Sequence, residues 1–417
     1  MTRAGAGEVV IAGGGPAGMV LALLLARQGV PVTVLEAARD FNRAFRGDTL
    51  HPATLELMAQ LGLVDALLAL PHTRAGAARF ITPTRIQTLA NFAHLRSPYP
   101  YLAVMSQTRF LEFLHAELQR YPWASVEFGA RVQALLGVPG GPVTGVRYQQ
   151  DGQLHERQAT LTVGADGRFS QVRAVSGLTL QVLSPGQDVL WFSLPRRASD
   201  PHGSIDLHVS HGHCLVTTDH GERWQVGFSL PKGGYAAAKQ AGLDPIKATL
   251  TRTLPWLTDR LHLLTEWSQL RLLSVEVSRL RRWYRPGLLM IGDAAHVISP
   301  IGGLGINMAI QDAVAVANRL IVPLQRGTVR TRDLAAVQRR RAWQIAVLQA
   351  QQVVEEHEVV SVMGEPQAVH VPMLLLRLIH RIPGLYRIPA YVTAYGLKPE
   401  RLRSSLTRVQ EPVLSSS

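Results

Sequence analysis

The hydrophobic positions of this chain follow two spacings. Short continuous apolar runs predict buried strands, and apolar residues three or four positions apart predict helices. The run 9–12 is followed by a helical pattern that ends near Arg27, and then by a second run at 32–35. A strand, a helix and another strand in this order predict a βαβ unit around a parallel sheet.

Farther along the chain the pattern is dominated by strands. Residues 80–101 are expected to form strands beside a cleft, and Ala124 to Val163 a β-meander. An antiparallel sheet is predicted from four runs around the turn at Asp219: Val189–Leu194, Ser204–Val209, His213–Thr218 and Trp224–Leu230. Helices are predicted from Tyr235 to Thr265 and from Asp333 to about Glu358.

Composition excludes some classes of protein. The 417 residues carry a formal charge of +13, and the first lysine is Lys232, so arginine supplies most of the positive charge. A solvated basic surface is the favoured interpretation, with attraction of phosphorylated cofactors or acidic substrates as the alternative. The chain has no dense basic block or nucleic-acid-binding motif, so we expect no nucleic-acid partner.

The single cysteine, Cys214, rules out a disulfide within the chain and suits a reducing cytoplasm. The N-terminal apolar stretch is broken by glycines and has no basic leader, which argues against a signal peptide. No apolar run reaches the length of a membrane-spanning helix. We therefore expect a cytoplasmic protein.

A glycine motif lies between the first strand and helix. Gly13-x-Gly15-x-x-Gly18, with Pro16 and Ala17 inside it, is the fingerprint of a dinucleotide-binding turn. Such glycines permit the tight turn, the approach to a pyrophosphate and close packing of the helix on the sheet. Glu36 ends the second strand, where an acid can accept hydrogen bonds from a ribose. The alternative is a glycine turn without a ligand, but this context favours an adenine dinucleotide.

Two later segments repeat the transition from a strand to glycine. Asp166-Gly167 follows a short apolar run and precedes a helix start. The segment 292–296 (Gly-Asp-Ala-Ala-His) leads through Pro300 and the glycine-rich 302–305 into a long helix. Backbone N–H groups at such helix starts can meet an electron-rich ligand.

The glycine motif with Glu36, the Asp166 segment and the 292–307 segment occur together and in this order. This combination resembles the class A FAD-dependent monooxygenases, the group of para-hydroxybenzoate hydroxylase and related aromatic hydroxylases. The resemblance covers about residues 1 to 350. It implies an α/β fold: a Rossmann-like FAD-binding domain with a β-meander, interleaved with an antiparallel-sheet substrate domain and followed by C-terminal helices.

The predicted boundaries follow from this resemblance. The discontinuous FAD-binding domain would comprise 1–75, 102–180 and 279–330. The substrate domain would comprise 76–101 and 181–278, and the C-terminal helical region 331–417.

The resemblance also implies cofactor contacts. In it, the 13–18 glycines hold the FAD pyrophosphate, Glu36 holds the adenosine ribose, and Pro300 begins the loop at the isoalloxazine edge. The full predicted set is Gly13, Gly15, Pro16, Ala17, Gly18, Glu36, Arg46, Gln107, Val132, Asp166, Asp293, Pro300, Gly302, Gly305, Ile306 and Asn307. Leu304 departs from the pattern, because many relatives carry a polar residue there. No metal ligand is predicted.

The implied reaction uses NAD(P)H as a transient reductant of bound FAD. O2 then forms a flavin C4a-hydroperoxide, which hydroxylates an aromatic or polyketide-like small molecule. No catalytic base is assigned. His51, His213 and Tyr235 are candidate pocket residues, although ordinary structural or surface roles are favoured for all three.

Three alternatives use the same nucleotide motifs. A flavin-dependent halogenase is rejected, because its reaction needs a lysine in the N-terminal half and a Trp-x-Trp-x-Ile-Pro signature, and neither is present. An FAD-dependent reductase of an isoprenoid-type substrate and a non-catalytic redox-sensing flavoprotein stay open.

The stretch 372–397 is apolar and basic. Packing over the substrate domain is favoured for it, with a helix on a membrane surface as the alternative. Oligomeric state is not predicted.

Overall fold

A computed structural model describes residues 7–42, 48–210, 212–274, 276–300, 303–364 and 387–409. Its helices are α1 (Pro16–Ala26), α2 (Pro52–Gln60), α3 (Val64–Leu68), α4 (Gln107–Leu118), α5 (Gln171–Ser176), α6 (Tyr235–Ala241), α7 (Asp244–Thr253), α8 (Leu304–Gln325), α9 (Thr331–Gly364) and α10 (Arg387–Tyr395). Short 3₁₀ segments add Phe92–His94, Pro255–Leu263, Trp267–Gln269, Gly292–Ala294 and Ser404–Leu406.

The strands are β1 (Val9–Ala12), β2 (Val32–Glu36), β3 (Thr49–Leu50), β4 (Thr73–Ala75), β5 (Ala77–Thr82), β6 (Arg85–Asn91), β7 (Leu102–Val104), β8 (Ala124–Phe128), β9 (Arg131–Leu136), β10 (Gly145–Gln150), β11 (Gln153–Gln158), β12 (Leu161–Gly164), β13 (Leu180–Ser184), β14 (Asp188–Pro195), β15 (Ser204–Ser210), β16 (His213–Asp219), β17 (Arg223–Leu230), β18 (Arg271–Ser274), β19 (Val277–Leu280), β20 (Tyr284–Arg285), β21 (Leu288–Met290) and β22 (His296–Val297).

A six-stranded sheet, here called the parallel sheet, has the order β20-β21-β12-β1-β2-β8. Apart from the antiparallel edge strand β20, its neighbouring strands run parallel. The central β1 is fully buried, and α1 is buried along every residue after Pro16 because it packs against α4 and α8. The predicted βαβ unit is confirmed, and continuous apolar runs are what strands buried on both faces require.

The predicted meander from Ala124 to Val163 is shorter than expected. Its middle strands β9, β10 and β11 form an antiparallel three-stranded sheet. Its first and last strands, β8 and β12, instead extend the parallel sheet beside β2 and β1. The physical reason for β12 is that all four of its residues are buried, which suits a central strand better than a solvated meander edge.

A seven-stranded sheet has the order β18-β14-β17-β16-β15-β5-β6. It contains all four runs predicted around Asp219, and β5 joins them by pairing in parallel with β15. The two segments assigned to the substrate domain therefore share one sheet, which supports the proposed interleaving. Alternate residues of β14 face opposite ways: Leu190 and Phe192 enter a core under α7 and the 255–263 segment, and Trp191 faces a cavity.

The C-terminal helix α9 is longer than the predicted 333–358. Of the apolar and basic stretch 372–397, the part before 387 lies outside the described residues. The described part contains α10, whose Ala390, Ala394 and Tyr395 are buried against the protein. No helix in the described ranges is long and apolar enough to cross a membrane.

Candidate active site

One cavity of about 610 Å³ runs between the parallel sheet and the seven-stranded sheet. Its dinucleotide end is defined by the carboxyl ends of β1, β2 and β12, where open α/β sheets bind ligands. Its sheet end is defined by one face of the seven-stranded sheet: Ala78, Trp191, Ile205, Val216, Thr218, Gln225 and Leu273. A volume of this order lies within the range of small-molecule sites.

The structure brings most of the predicted contacts to this cavity. The predicted residues that line it are Gly13, Gly15, Pro16, Ala17, Glu36, Gln107, Val132, Asp166, Asp293, Pro300, Gly305 and Ile306. Gly18 and Asn307 do not line it, and Arg46 and Gly302 lie outside the described residues.

The glycines of the β1–α1 turn have different structural roles. Gly13 has φ +104°, and a Cβ there would lie 2.5 Å from the carbonyl oxygen of Ala165. A Cβ at Gly18 would lie 2.0 Å from the carbonyl oxygen of Gly13, so both glycines are required by the fold itself. A Cβ at Gly15 would meet no protein atom within 4 Å, because that backbone faces the cavity. Gly15 therefore leaves room for a ligand.

Glu36 holds the same turn from the end of β2. Its Oε2 accepts from the Gly14 N–H at 2.7 Å, and its Oε1 accepts from the Ala38 N–H at 2.8 Å. The side chain is buried at the cavity wall. The carboxylate thus fixes the turn in addition to the ribose contact predicted for it.

Asp166 combines a cavity position with a local structural role. Its carboxylate accepts from the Ser170 hydroxyl at 2.5 Å and from the Val172 N–H at 3.0 Å, at the start of α5. Burial raises the pKa of Asp166 above its ordinary value, against the opposing effect of these hydrogen bonds. The next residue, Gly167, is open to the cavity.

A buried ionic network holds the loop that carries Asp293. Asp312 of α8 accepts from the Gly292 N–H at 3.0 Å, and its carboxylate also pairs with His296 at 2.7 Å and Arg341 at 2.8 Å. Burial raises the pKa of Asp312, but His296 and Arg341 outweigh it and hold that pKa below its usual value. The loop is therefore fixed where the Asp293 residue can line the cavity.

Sequence reasoning missed the Asp312 network. The available signal was a charged residue in the apolar stretch of α8 between Ile310 and Val316, followed a helix later by Arg341 in the basic run 339–341. A buried charge needs a partner, so this pattern predicts an ion pair. It cannot by itself identify which basic residue is the partner.

The start of α8 forms another wall. Gly303 (φ +64°) precedes its first residue, and no side chain caps the helix. Gly305 is open to the cavity, but the neighbouring Asn307 is fully buried and donates to the carbonyl oxygen of Ala394 at 3.3 Å. In this structure Asn307 connects α8 to α10 and does not face the cavity, which departs from its predicted ligand contact.

The three candidate pocket residues do not line the cavity. The ring nitrogens of His51 lie 2.7 Å from the Thr393 oxygen and 3.0 Å from the Gly303 oxygen. His213 packs against a phenylalanine ring, and the Tyr235 hydroxyl accepts from a tryptophan N–H. The favoured structural roles are consistent with these contacts. Polar lining residues that the sequence did not single out are Asp48, Thr49, Arg131, Arg168, Gln171, Thr218, Gln225, Ser299 and Thr393.

The dinucleotide end fits the FAD implied by the sequence motifs. Gly15, Gly167 and Gly305 all present backbone to the cavity at points where a Cβ would touch no protein atom. Helices α1 and α8 both begin there without a side-chain cap, so their first N–H groups are available to a phosphate or a flavin edge.

Comparison with known proteins identifies a family for this chain. Residues 6–351 match the family described as FAD binding domain. A 6-methylpretetramide 4-monooxygenase from Streptomyces rimosus is 34% identical over 97% of this chain and 96% of its own length. Pentachlorophenol 4-monooxygenase from Sphingobium chlorophenolicum is 26% identical over a region that covers 73% of this chain and 56% of that protein.

Solved structures show the same fold. PqsL from P. aeruginosa, in complex with 2-aminobenzoylacetate, superposes with a TM-score of 0.73 at 23% identity, covering 86% of this chain and 97% of PqsL. The family match and the full-length relative together carry the assignment. The chain belongs to the family of FAD-dependent aromatic hydroxylases and is an FAD-dependent monooxygenase.

Proposed function

We propose that this chain uses NAD(P)H and O2 to hydroxylate a polycyclic aromatic, polyketide-like small molecule. The observation that carries the proposal is one cavity that has both the dinucleotide end and a largely apolar sheet face in its walls. A cofactor bound at the dinucleotide end and a flat apolar substrate bound at the sheet end would be in contact within this cavity. The full-length relative, named for oxygenation of 6-methylpretetramide, supports this class of substrate.

The dinucleotide end would bind the cofactor, and the rest of the cavity would position the substrate. The open backbone at Gly15, the helix starts and the Glu36 carboxylate would hold the FAD, with Asp166 and Asp293 beside it. When bound, FAD supplies the transfer of electrons from NAD(P)H to O2 and the activated oxygen that reaches the substrate. The protein's own contribution is to orient the substrate and exclude water.

The sheet end is suited to a flat aromatic molecule. Ala78, Ile205 and Val216 form an apolar surface, and Thr218 and Gln225 add two polar groups. Apolar walls with a few placed polar groups are typical of small-molecule sites, because the walls provide affinity and the polar groups fix orientation.

Oxygen consumption with labelled O2 tests the proposal. Purified protein carrying FAD would be given NADH or NADPH and a panel of hydroxylated polycyclic aromatics. We expect at least one compound to stimulate NAD(P)H oxidation and to gain one heavy oxygen atom from labelled O2. Oxidation that never depends on the aromatic compound, or products without the label, would contradict the proposal. A reduced product without added oxygen would instead favour the isoprenoid-type reductase.

A further inference from the structure

Trp191 is the largest side chain at the sheet end of the cavity. Its neighbours in β14, Leu190 and Phe192, are buried in the core under α7 on the opposite face of the sheet. Because successive side chains of a strand alternate between the two faces, these core residues keep Trp191 on the cavity face. Trp191 lines the cavity and is only 8% exposed. The indole is therefore a fixed part of the cavity wall.

Gly227 lies directly opposite Trp191 on the neighbouring strand β17. A Cβ at Gly227 would lie 2.9 Å from Cη2 of the indole and 3.0 Å from both Cζ2 and Cζ3. At this distance, a point that is almost equally far from three consecutive ring atoms lies above the ring face and not beyond its edge. The Trp191 ring therefore lies flat over the Gly227 backbone, in the space that any other residue would fill with its own side chain.

The backbone conformation of Gly227 does not require glycine. Its φ lies outside the left-handed region, so a residue with a Cβ could adopt the same conformation. Glycine inside a strand costs conformational entropy and often marks the close approach of another group. Here that group is the indole. Val216 pairs with Gly227 on its other side and also lines the cavity, so the indole and Val216 form one apolar surface.

We propose that Trp191, lying over Gly227, is the surface on which a flat polycyclic substrate stacks, and that this pair makes the enzyme prefer multi-ring to single-ring phenols. The inference rests on the proposed function. One face of the indole is covered by the Gly227 backbone, so the opposite face is directed to the cavity. Aromatic rings attract each other in offset stacks, and the apolar area in contact grows with each fused ring.

Gly227 determines how far the indole projects into the cavity. Carbon atoms in contact are about 3.5–4.0 Å apart, so a Cβ at this position would require the indole to move by roughly 0.5–1 Å. The sheet blocks movement in one direction, and the ring would therefore move toward the cavity. Gly227→Ala should thus narrow the sheet end without changing any other group in its wall.

The two polar residues of the sheet end lie beside the proposed stacking surface. Gln225 is two residues before Gly227 and on the same face of β17, and Thr218 of β16 pairs with it. Both side chains line the cavity. A polycyclic molecule stacked on Trp191 would therefore have hydrogen-bonding groups along one of its edges, which fix its orientation in the plane of the stack.

Ligand binding to the oxidised, FAD-loaded protein tests the proposal without requiring turnover. The probes are hydroxylated anthraquinones and naphthacenes, with phenol as the single-ring reference, and equilibrium dialysis measures each Kd. Trp191→Leu should raise the Kd of the polycyclic compounds about tenfold and that of phenol by less than about twofold. Trp191→Phe keeps an aromatic face and should retain most of the affinity. Turnover should show the same loss of selectivity in kcat/KM.

A double-variant cycle tests the role of Gly227. Gly227→Ala should raise the polycyclic Kd by about threefold or more in the wild-type background, because the displaced indole narrows the cavity. The same substitution in the Trp191→Leu background should have little effect, since no indole is left to displace. Equal effects in both backgrounds would overturn the role assigned to Gly227.

Trp224→Phe is the matched control. Trp224 lies on β17 like Gly227 but belongs to the core on the opposite face, with its ring centroid 4.8 Å from that of Trp256. This variant should lower the melting temperature and keep the wild-type ratio of phenol Kd to polycyclic Kd. FAD affinity should be unchanged in every variant, because the substitutions lie in the seven-stranded sheet.

The outcomes distinguish the two proposals. A wild type that oxygenates aromatic compounds, with a Trp191→Leu variant that keeps the wild-type ratio of Kd values, would overturn the stacking surface alone. Should Trp191→Leu fail to fold, an unchanged ratio in Gly227→Ala would overturn it instead. A wild type whose binding of polycyclic compounds depends on Trp191 but which oxygenates none would overturn the proposed function alone. A wild type that binds none of them would overturn both.

Discussion

The two ends of the cavity present different parts of the protein to a ligand. At the dinucleotide end, backbone faces the ligand: Gly15 and Gly305 are open, and two uncapped helices start there. At the sheet end, side chains face it, and these are mainly apolar residues of an antiparallel sheet. A backbone site requires glycine at fixed positions, whereas an apolar sheet face can be built from many side chains. The dinucleotide end can therefore be recognised from a sequence motif, whereas the sheet end leaves no such motif.

The two ends of the cavity should differ most in how FAD affinity responds to the loss of a nearby buried ion pair. Arg341 pairs with Asp312 behind the dinucleotide end, and both side chains are 0% exposed. Arg341→Met leaves the Asp312 carboxylate without this partner and should cost about 3–5 kcal/mol in the free energy of unfolding. Denaturant unfolding measures this loss. Because Asp312 also holds the Gly292 N–H, FAD affinity should fall as well.

Arg260→Met, in the 255–263 segment that packs against the seven-stranded sheet, is the matched control. Arg260 pairs with Asp200, and their side chains are 4% and 3% exposed. A similar loss of stability is expected, but the folded protein should keep its FAD affinity. Equal losses of FAD affinity in both variants would mean that the two ends are not independent.

A second pair of variants distinguishes a glycine that the fold requires from a glycine that leaves room for the ligand. Gly18→Ala places a Cβ 2.0 Å from the Gly13 oxygen and should destabilise the protein by about 1–3 kcal/mol. Gly15→Ala should leave the melting temperature of the FAD-free protein unchanged while FAD affinity falls. Thermal unfolding and flavin fluorescence titration measure the two quantities. A Gly15→Ala variant with wild-type FAD affinity would refute the proposed cofactor contact.

A third effect tests the sheet end. Gln225 lines it, and its Oε1 lies 3.4 Å from the Ser193 hydroxyl. Gln225→Leu removes one of the two polar groups, with Thr218, from a mainly apolar wall and should raise KM for a hydroxylated aromatic about tenfold, the equivalent of about 1.4 kcal/mol. FAD affinity should not change. Gln133→Leu, at an exposed position of β9, is the control and should leave KM unaltered.

The smallest effect is the contribution of Asp200 to acid stability. Although burial alone would raise it, hydrogen bonds from Arg260, Arg197 and Trp224 lower the pKa of Asp200 from 3.8 to about 2. The unfolded chain therefore binds this proton first as the pH falls. The stabilisation is present above about pH 4 and is lost progressively toward pH 2.

Denaturant unfolding of the wild type and Asp200→Asn measures that contribution. The stability difference between them should shrink by about 1 kcal/mol between about pH 5 and about pH 3. A difference that stays constant over this range would contradict the lowered pKa. Arg341→Met should show the same shrinkage when compared with its own Asp200→Asn double variant, since the two ion pairs share no residue and lie in different elements of the fold.

These contrasts explain what could be predicted from the sequence. The apolar run at 9–12 and the glycines after it determine local geometry, so the βαβ unit and most of the cavity-lining residues of the dinucleotide end were predictable. The roles of β8 and β12 were not, because apolar content does not specify which strand is the neighbour. Asp48 and His220 are 172 positions apart, and no local pattern indicates that they meet. Asn307, predicted to lie in a loop beside the flavin, is instead within α8 and faces α10.

In the proposed function, one cavity holds the cofactor and the substrate end to end. A crystal structure of the FAD-loaded protein with a bound hydroxylated polycyclic aromatic tests it most directly. We predict the FAD pyrophosphate at Gly15 and the start of α1, and the aromatic rings against Ile205 and Val216. An aromatic ligand bound away from the seven-stranded sheet, or FAD bound away from the β1–α1 turn, would overturn this arrangement.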